Sequence, residues 1–255
     1  MPDGERRVNL SGIEFDPLDE EAFSEHLVRS LKGSRGGRVV TPNMQMLTAV
    51  RKTPPLLTLV NEHDCVLADG TPFIWAARLR GLHLQRMTGS DLIGTVAALA
   101  GSYGWRVFVL GGRPADAPRV VESFERLGAT VVGIDTSVLS LPVDEVEISK
   151  LHRQLVEARA DVVIVGLGFP KQEQVSLELS RLMPETWFFN FGMAIAYFAG
   201  TRRRAPRVMQ VMGAEWLWRL ASEPRRLAKR YLVESLPSAA RLLAESLHAR
   251  REGVR

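Results

Sequence analysis

One acid, a few amides and hydroxyls, and a group of arginines are the side chains whose type and position could do chemistry together. Asp69 closes the apolar run His63-Asp-Cys-Val-Leu-Ala-Asp69 and is followed by Gly70. A carboxylate at such a strand end projects into the crevice beyond the sheet, where it could act as a general base. An isolated Asp-Gly pair more often serves as a turn or a helix cap. Thr41 and Asn43 flank Pro42 at a second strand-to-helix turn, with Asn43 placed to cap the helix. Asp91, in Thr88-Gly-Ser-Asp91, fits the first turn of a helix capped by Thr88 or Ser90, which is complete without a ligand and compatible with one. Gly111-Gly112 and the loop Gly166-Leu-Gly168-Phe-Pro-Lys-Gln172-Glu173 offer two places where backbone can approach a phosphate or a base. Farther on, Arg219, Arg226 and Arg230 would share a face if one helix ran throughout.

The elements that must position these groups alternate. Val162 to Gly166 reads as a buried central strand that breaks into Gly168, Phe169 and Pro170 and then a helix from Lys171 to Leu182. Before it stand a strand at Arg106–Leu110, a helix from Ala115 to Leu127, a strand at Thr130–Ile134 and a helix from Asp144 to Ala158. A last strand runs from Thr186 to Phe191. Nearer the start, a helix from about Asp19 to Leu31 leads to a strand at Arg38–Thr41 and a helix from Met44 towards Lys52. Further helices cover Phe73–Leu79 and the stretch through Ala100, and residues 1 to 36 read as an entry to the fold with no site of their own. Strands alternating with helices of this length imply an α/β protein with a parallel sheet covered on both faces. There is no G-x-G-x-x-G fingerprint and no G-x-x-x-x-G-K-[ST] loop, which argues against a dinucleotide oxidoreductase and a P-loop nucleotidase.

At 255 residues, 45% hydrophobic and 24% charged, the chain can bury one substantial core. Its single cysteine, Cys65, excludes an intramolecular disulfide and a cysteine-based zinc cluster and fits a reducing compartment. No run of about 18 apolar residues occurs and the N-terminus is too charged for a secretory signal, so a cytoplasmic protein that does not span a membrane is expected.

The net charge of +4 is unevenly placed. Residues 202 to 255 carry 13 Lys and Arg against five Glu and no Asp, a balance of +8, which leaves the first 201 residues at −4. A basic tail suits a polyanion: nucleic acid, anionic lipid or a diphosphate. Met212, Trp216 and Leu220 fall four apart as an apolar stripe, and Pro224 breaks the tail into two helices, the second capped by Ser222. Trp interleaved with Arg also suits a membrane interface, and exposed apolar surface on the tail would favour membrane docking or a homo-oligomer.

Thr41-Pro-Asn43, Ala68-Asp-Gly70, Thr88-Gly-Ser-Asp91, Gly166-Leu-Gly-Phe-Pro-Lys-Gln-Glu173, Arg204-Ala-Pro206 and Glu215-Trp-Leu-Trp-Arg219 occur in one order. Together they resemble the WecG/TagA/CpsF family of bacterial glycosyltransferases, over roughly Val39 to Tyr231. The resemblance implies a modified Rossmann-like core, residues 1–200, with helices on both faces of its sheet and a short helical C-terminal appendage, residues 201–255. It implies an inverting, metal-independent, cofactor-free transfer from a UDP-sugar to a polyprenyl-diphosphate-linked saccharide in cell-surface polysaccharide synthesis. The enzyme would lie peripherally at the inner face of the cytoplasmic membrane. By position, Asp69 matches the family's base, while Thr41, Asn43 and Gln172 match residues of the sugar and base pocket. Arg219 and Arg226, with Arg230 or Lys229 as a third, match appendage arginines that neutralise the leaving diphosphate. The chain lacks an Asp-x-Asp motif, in keeping with arginines in that role. Many relatives carry Asp where Ala196 stands, so the match speaks for the reaction class more than for the sugar. A non-catalytic nucleotide or nucleic-acid binder using the basic tail is the rival reading, but the usual RNA-binding and homeodomain-like signatures are missing and no nucleic-acid partner is expected.

Overall fold

The computed structural model describes residues 6–252, with the side chains of Val211 and Arg226 outside that description. It opens on a hairpin, β1 (Val8–Leu10) and β2 (Ile13–Phe15), paired antiparallel around Ser11 and Gly12, both at positive φ. Two residues at positive φ match the right-handed twist of the flanking strands. Nothing in the sequence reading anticipated this hairpin: three-residue strands carry too little alternation to register, yet Leu10, Ile13 and Phe15 are fully buried.

The chain continues through α1 (Glu20–Lys32), β3 (Gly37–Val40), α2 (Met44–Lys52), α3 (Pro55–Asn61), β4 (Cys65–Val66), α4 (Thr71–Leu79) and α5 (Gly89–Tyr103). Then come β5 (Arg106–Gly111), α6 (Ala117–Glu125), β6 (Thr130–Asp135), α7 (Glu145–Glu157), β7 (Val162–Gly166), α8 (Lys171–Leu182), β8 (Trp187–Asn190) and α9 (Ala194–Phe198). The appendage contains α10 (Arg207–Val211), α11 (Glu215–Ser222), α12 (Pro224–Ala228), a π-helical stretch Lys229–Ser235, and α13 (Leu236–Arg251).

Six strands form one parallel sheet in the order β4-β3-β8-β7-β5-β6, as the alternation requires. One face packs Val39, Val107, Ile164 and Phe189 against Phe23 and Leu27 of α1, Leu92 and Val96 of α5, and Phe124 of α6. The other packs Val163, Val165 and Phe188 against α7 and α8, and Val40, Val66 and Ala68 against α2, α4 and the hairpin. The chain leaves β5 for β6 on one side, while β7 lies on the other, so a crevice opens at the carboxyl ends of β5 and β7. Gly111 belongs to that packing: a Cβ there would sit 2.6 Å from the Gly166 carbonyl.

The tail differs from expectation in three places. Gly213, at φ 70°, turns the chain between α10 and α11, so the exposed Met212 does not continue the Trp216–Leu220 stripe. Ser222 is the last residue of α11 and its hydroxyl donates to the Trp218 carbonyl at 2.8 Å; Glu223 holds the cap position before Pro224 and makes no side-chain cap bond. The long helix α13, unanticipated, folds back along α4 and sets Leu242 into the core beside the hairpin. No helix among the described residues is long and apolar enough to cross a membrane.

Candidate active site

A cavity of about 560 Å³ opens over the carboxyl ends of the strands, a size suited to a nucleotide-sugar-scale ligand. Its floor comes from the sheet: Thr41 after β3, Asp69 after β4, Gly112 and Arg113 after β5, Gly168 after β7, and Asn190 to Tyr197 at and after β8. Its roof comes from the appendage, with Arg219 of α11, Glu223 and Leu227 at α12, and Arg230 and Tyr231 beyond.

Backbone pairing places the acid. Beyond β4 the ladder continues: Leu67 N–H donates to the Val40 carbonyl at 2.9 Å and Asp69 N–H to that of Pro42 at 3.0 Å. Ala68 accepts from Met87 N–H at 2.9 Å on the opposite side. Asp69 is thereby fixed by its main chain, and no described residue donates a hydrogen bond to its carboxylate. Desolvation is the largest influence on it; Arg219 and Arg86 pull it down, Glu215 and Asp91 push it up, and it settles at about 6. A carboxylate tuned towards neutrality and open to a cavity is suited to receiving a proton.

Arg219 faces that acid electrostatically. Its guanidinium lies over the Tyr197 ring, 5.1 Å from the centroid. Burial works against its charge, but Tyr197, Asp69, Tyr231 and Glu215 outweigh that and raise its pKa. It stays a cation in a largely desolvated place, where it acts strongly on any negative charge that develops nearby.

The remaining expected site residues divide. Asn43 lines the cavity, and its side-chain oxygen also caps α2, accepting from Gln45 N–H at 3.0 Å and Met46 N–H at 3.2 Å. Gly168, at φ 80° with open space where a Cβ would go, exposes loop backbone. Gln172 borders the cavity, yet its amide is committed inside: Oε1 accepts from Gly168 N–H at 3.1 Å and Nε2 donates to Glu173 and to the Asn190 carbonyl. Its geometry braces the loop after β7 while the side chain stays at the cavity wall, where it was expected. Asp91 stands outside the cavity, its carboxylate 2.7 Å from Arg204 and 2.7 Å from the Thr88 hydroxyl, both of which hold its pKa down against partial desolvation. Gly111 is likewise absent from the lining, whereas Gly112 is present. Arg230 lines the roof; the side chain of Arg226 lies outside the described residues.

Several groups at the site escaped the sequence reading. Arg202 lines the cavity and pairs with Glu223 at 2.7 Å. Arg113 and Asp116 form a second pair at the rim, 2.8 Å apart. Glu215 bridges Arg86 at 3.2 Å and Arg204 at 3.1 Å, tying α11 to the entrance of α5. Position after a β-strand was the available signal for Arg113 and Tyr197; nothing local distinguishes Arg202 from Arg203. The sequence pattern described as the Glycosyl transferase WecG/TagA/CpsF family matches residues 8–252, nearly the whole chain, and the protein belongs to that glycosyltransferase family.

Proposed function

We propose that this glycosyltransferase moves a sugar with inversion from a UDP-sugar to a polyprenyl-diphosphate-linked saccharide, without a metal ion, at the membrane surface. The observation that carries the reading is Asp69: a carboxylate with no hydrogen-bonding partner among the described residues, sharing one cavity with Arg219. The acceptor hydroxyl attacks the anomeric carbon from the face opposite UDP, its proton passes to Asp69, and the bond from that carbon to the diphosphate oxygen breaks. Charge grows on the departing diphosphate, and Arg219 and Arg230, with Arg226 of the same segment, are assigned to meet it. The open backbone at Gly112 and Gly168, with Thr41 and Asn43, forms the wall assigned to the donor.

The membrane assignment is supported by the outer side of the appendage. Val208, Met212, Leu232 and Val233 are each at least half exposed, among the exposed basic residues Arg203, Arg207, Arg225 and Lys229. Apolar side chains amid cations suit an anionic lipid surface. The test of the whole reading is release of UDP from a panel of UDP-sugars, with a short polyprenyl-diphosphate saccharide as acceptor and EDTA present. Turnover under those conditions with product of inverted configuration is expected; turnover that requires added divalent metal, or retention of configuration, would overturn it.

A further inference from the structure

Behind the cavity floor, a buried polar cluster has one proton too few. Asn190, at the end of β8, reaches His63 Nε2 at 2.9 Å and donates to Ser176 Oγ at 2.9 Å through the same amide nitrogen. His63 Nδ1 stands 2.9 Å from the Leu59 carbonyl and 3.1 Å from that of Val60. Carbonyls only accept, so the ring proton is on Nδ1 and Nε2 accepts from Asn190. Burial first, then Arg38, pushes the His63 pKa to about 3, and the ring is neutral. Ser176 Oγ–H donates to the Glu173 carbonyl at 3.1 Å. Gln172 Nε2 spends both protons, on Glu173 Oε1 at 2.8 Å and on the Asn190 carbonyl at 3.2 Å. Every donor in the cluster is used, yet Glu173 Oε2 and Asn190 Oδ1 are both buried without a partner among the described residues. A buried acceptor left unpaired costs about 1–3 kcal/mol of desolvation, and native interiors hold few of them.

We propose that Glu173 is a carboxylic acid in the folded protein and that its Oε2–H donates to Asn190 Oδ1, so that one proton satisfies both orphaned acceptors. Gln172 Nε2 bonds at once to the Glu173 carboxyl and to the main-chain carbonyl of Asn190, which brings the two residues into one cluster. Because Gln172 also holds Gly168 N–H, the acid proton braces the loop after β7 against the end of β8, and Glu173 is a positioning residue. Charges from neighbouring elements do not set its state. α3, β7 and β8 carry no charged residue, β3 carries Arg38, which donates to the Glu62 carbonyl, and the ionisable groups of α7, Glu145, Glu147, Lys150, His152, Arg153 and Glu157, are all outside the buried core. Burial is the main cause that lifts Glu173 from 4.5 to about 7, opposed in part by the bond from Gln172 and one from the backbone. The folded protein therefore holds this proton more tightly than the unfolded chain, and its contribution to stability is full below 4.5 and is lost as pH rises through about 7.

The test uses the full chain labelled with carbon-13 at the Glu side-chain carboxyls, titrated by NMR, with the Glu173 signal identified as the one missing from Glu173→Gln. A midpoint near neutrality is expected; a midpoint in the ordinary range, about 4.3, overturns the proposal. Glu173→Gln supplies an amide N–H2 in place of the acid proton. Its melting temperature should match wild type at pH 5 and fall less than wild type between pH 5 and 8. Losing as much as Glu173→Ala at every pH, or failing to fold where Glu173→Ala folds, would show that a donor at this position does not restore the cluster and would also overturn it. Neither measurement involves a substrate, so both stand or fall separately from the proposed reaction.

Discussion

The floor and the roof of the cavity are held in place by different forces. Floor residues hang from a parallel ladder: Thr41, Asp69 and Asn190 stand at or just past strands whose own residues are buried throughout. The roof is built on short helices; none of the described side chains of α11 is buried, and beside the buried Leu227 of α12 ion pairs tie it down, Arg204 to Asp91 and Glu215, Arg86 to Glu215, and Arg202 to Glu223. Two aspartates show what this difference does. Asp69, fixed by its main chain, leaves its carboxylate without a hydrogen bond among the described residues and sits high, at about 6. Asp91, solvent-exposed and with a side chain that anchors the roof, is held below the usual range by Arg204 and Thr88. A sheet edge can hold a carboxylate by its backbone and leave it free to act, whereas a cover of short helices uses its carboxylates as fasteners.

The largest effect is expected where the floor is altered without touching its scaffold. Asp69→Asn should lower kcat by about 10²–10⁴-fold, measured as UDP release, if Asp69 is the general base proposed above. Wild-type turnover should decline as pH falls below about 6, where Asp69 takes up its proton. Stability should move the other way. A carboxyl raised from 3.8 to about 6 contributes stability that is full below 3.8 and lost as pH rises through 6, so the always-neutral amide gains over wild type at pH 8 and the gain disappears by pH 4. Melting curves at the two pH values check it; an Asn variant that is less stable at pH 8 would mean that the charge is held by partners and not merely desolvated.

The roof should respond next. Arg219→Ala should cost about 10²–10³-fold in kcat with the melting temperature little changed, if its guanidinium meets charge that appears only in the transition state. Arg219→Lys should recover part of that loss. Glu215→Gln tests the fastening itself: a partly buried carboxylate bridging two arginines is expected to cost about 1–3 kcal/mol in chemical denaturation. The same change removes one of the charges that raise Asp69, so the acidic limb of the pH–rate profile should shift to lower pH.

The contrast between floor and roof also marks what was legible in the chain. β-branched apolar runs such as Val162–Val165, bounded by glycine turns and alternating with helices, read as buried central strands, so the parallel sheet, and Thr41 and Asp69 beyond its strands, followed from that order. Asn43 announced itself as a helix cap by residue type, and of the two candidates Thr88 and Ser90 the cap is Thr88. The roof was less readable because its geometry depends on breaks. Gly213 and Pro224 divide the arginines among separate short helices, and Arg219 and Arg230 converge only because these fold over the cavity. Gln172 shows the other limit: its place beside the loop could be read, but whether its amide turns to a ligand or inward is set by Asn190, a partner 18 positions away.

The smallest expected effect separates the two uses of a roof arginine. Arg202 and Glu223 are each about one-third exposed and lie 2.7 Å apart, so their pair is worth only about 0.2–1 kcal/mol. Glu223→Gln should leave the melting temperature within about two degrees of wild type, since 1 kcal/mol shifts a chain of this size by about 2–4 °C. The same change removes a negative charge from the cavity wall and releases Arg202 towards the space assigned to the donor diphosphate. UDP affinity, measured by calorimetry, should therefore rise a few-fold while Arg202→Ala lowers it, and the gain in Glu223→Gln should shrink as salt is raised. If instead the affinity is unchanged and the melting temperature drops by many degrees, Arg202 belongs with Arg204 among the fasteners, and the positive charge of the roof is confined to the segment from Arg219 to Arg230.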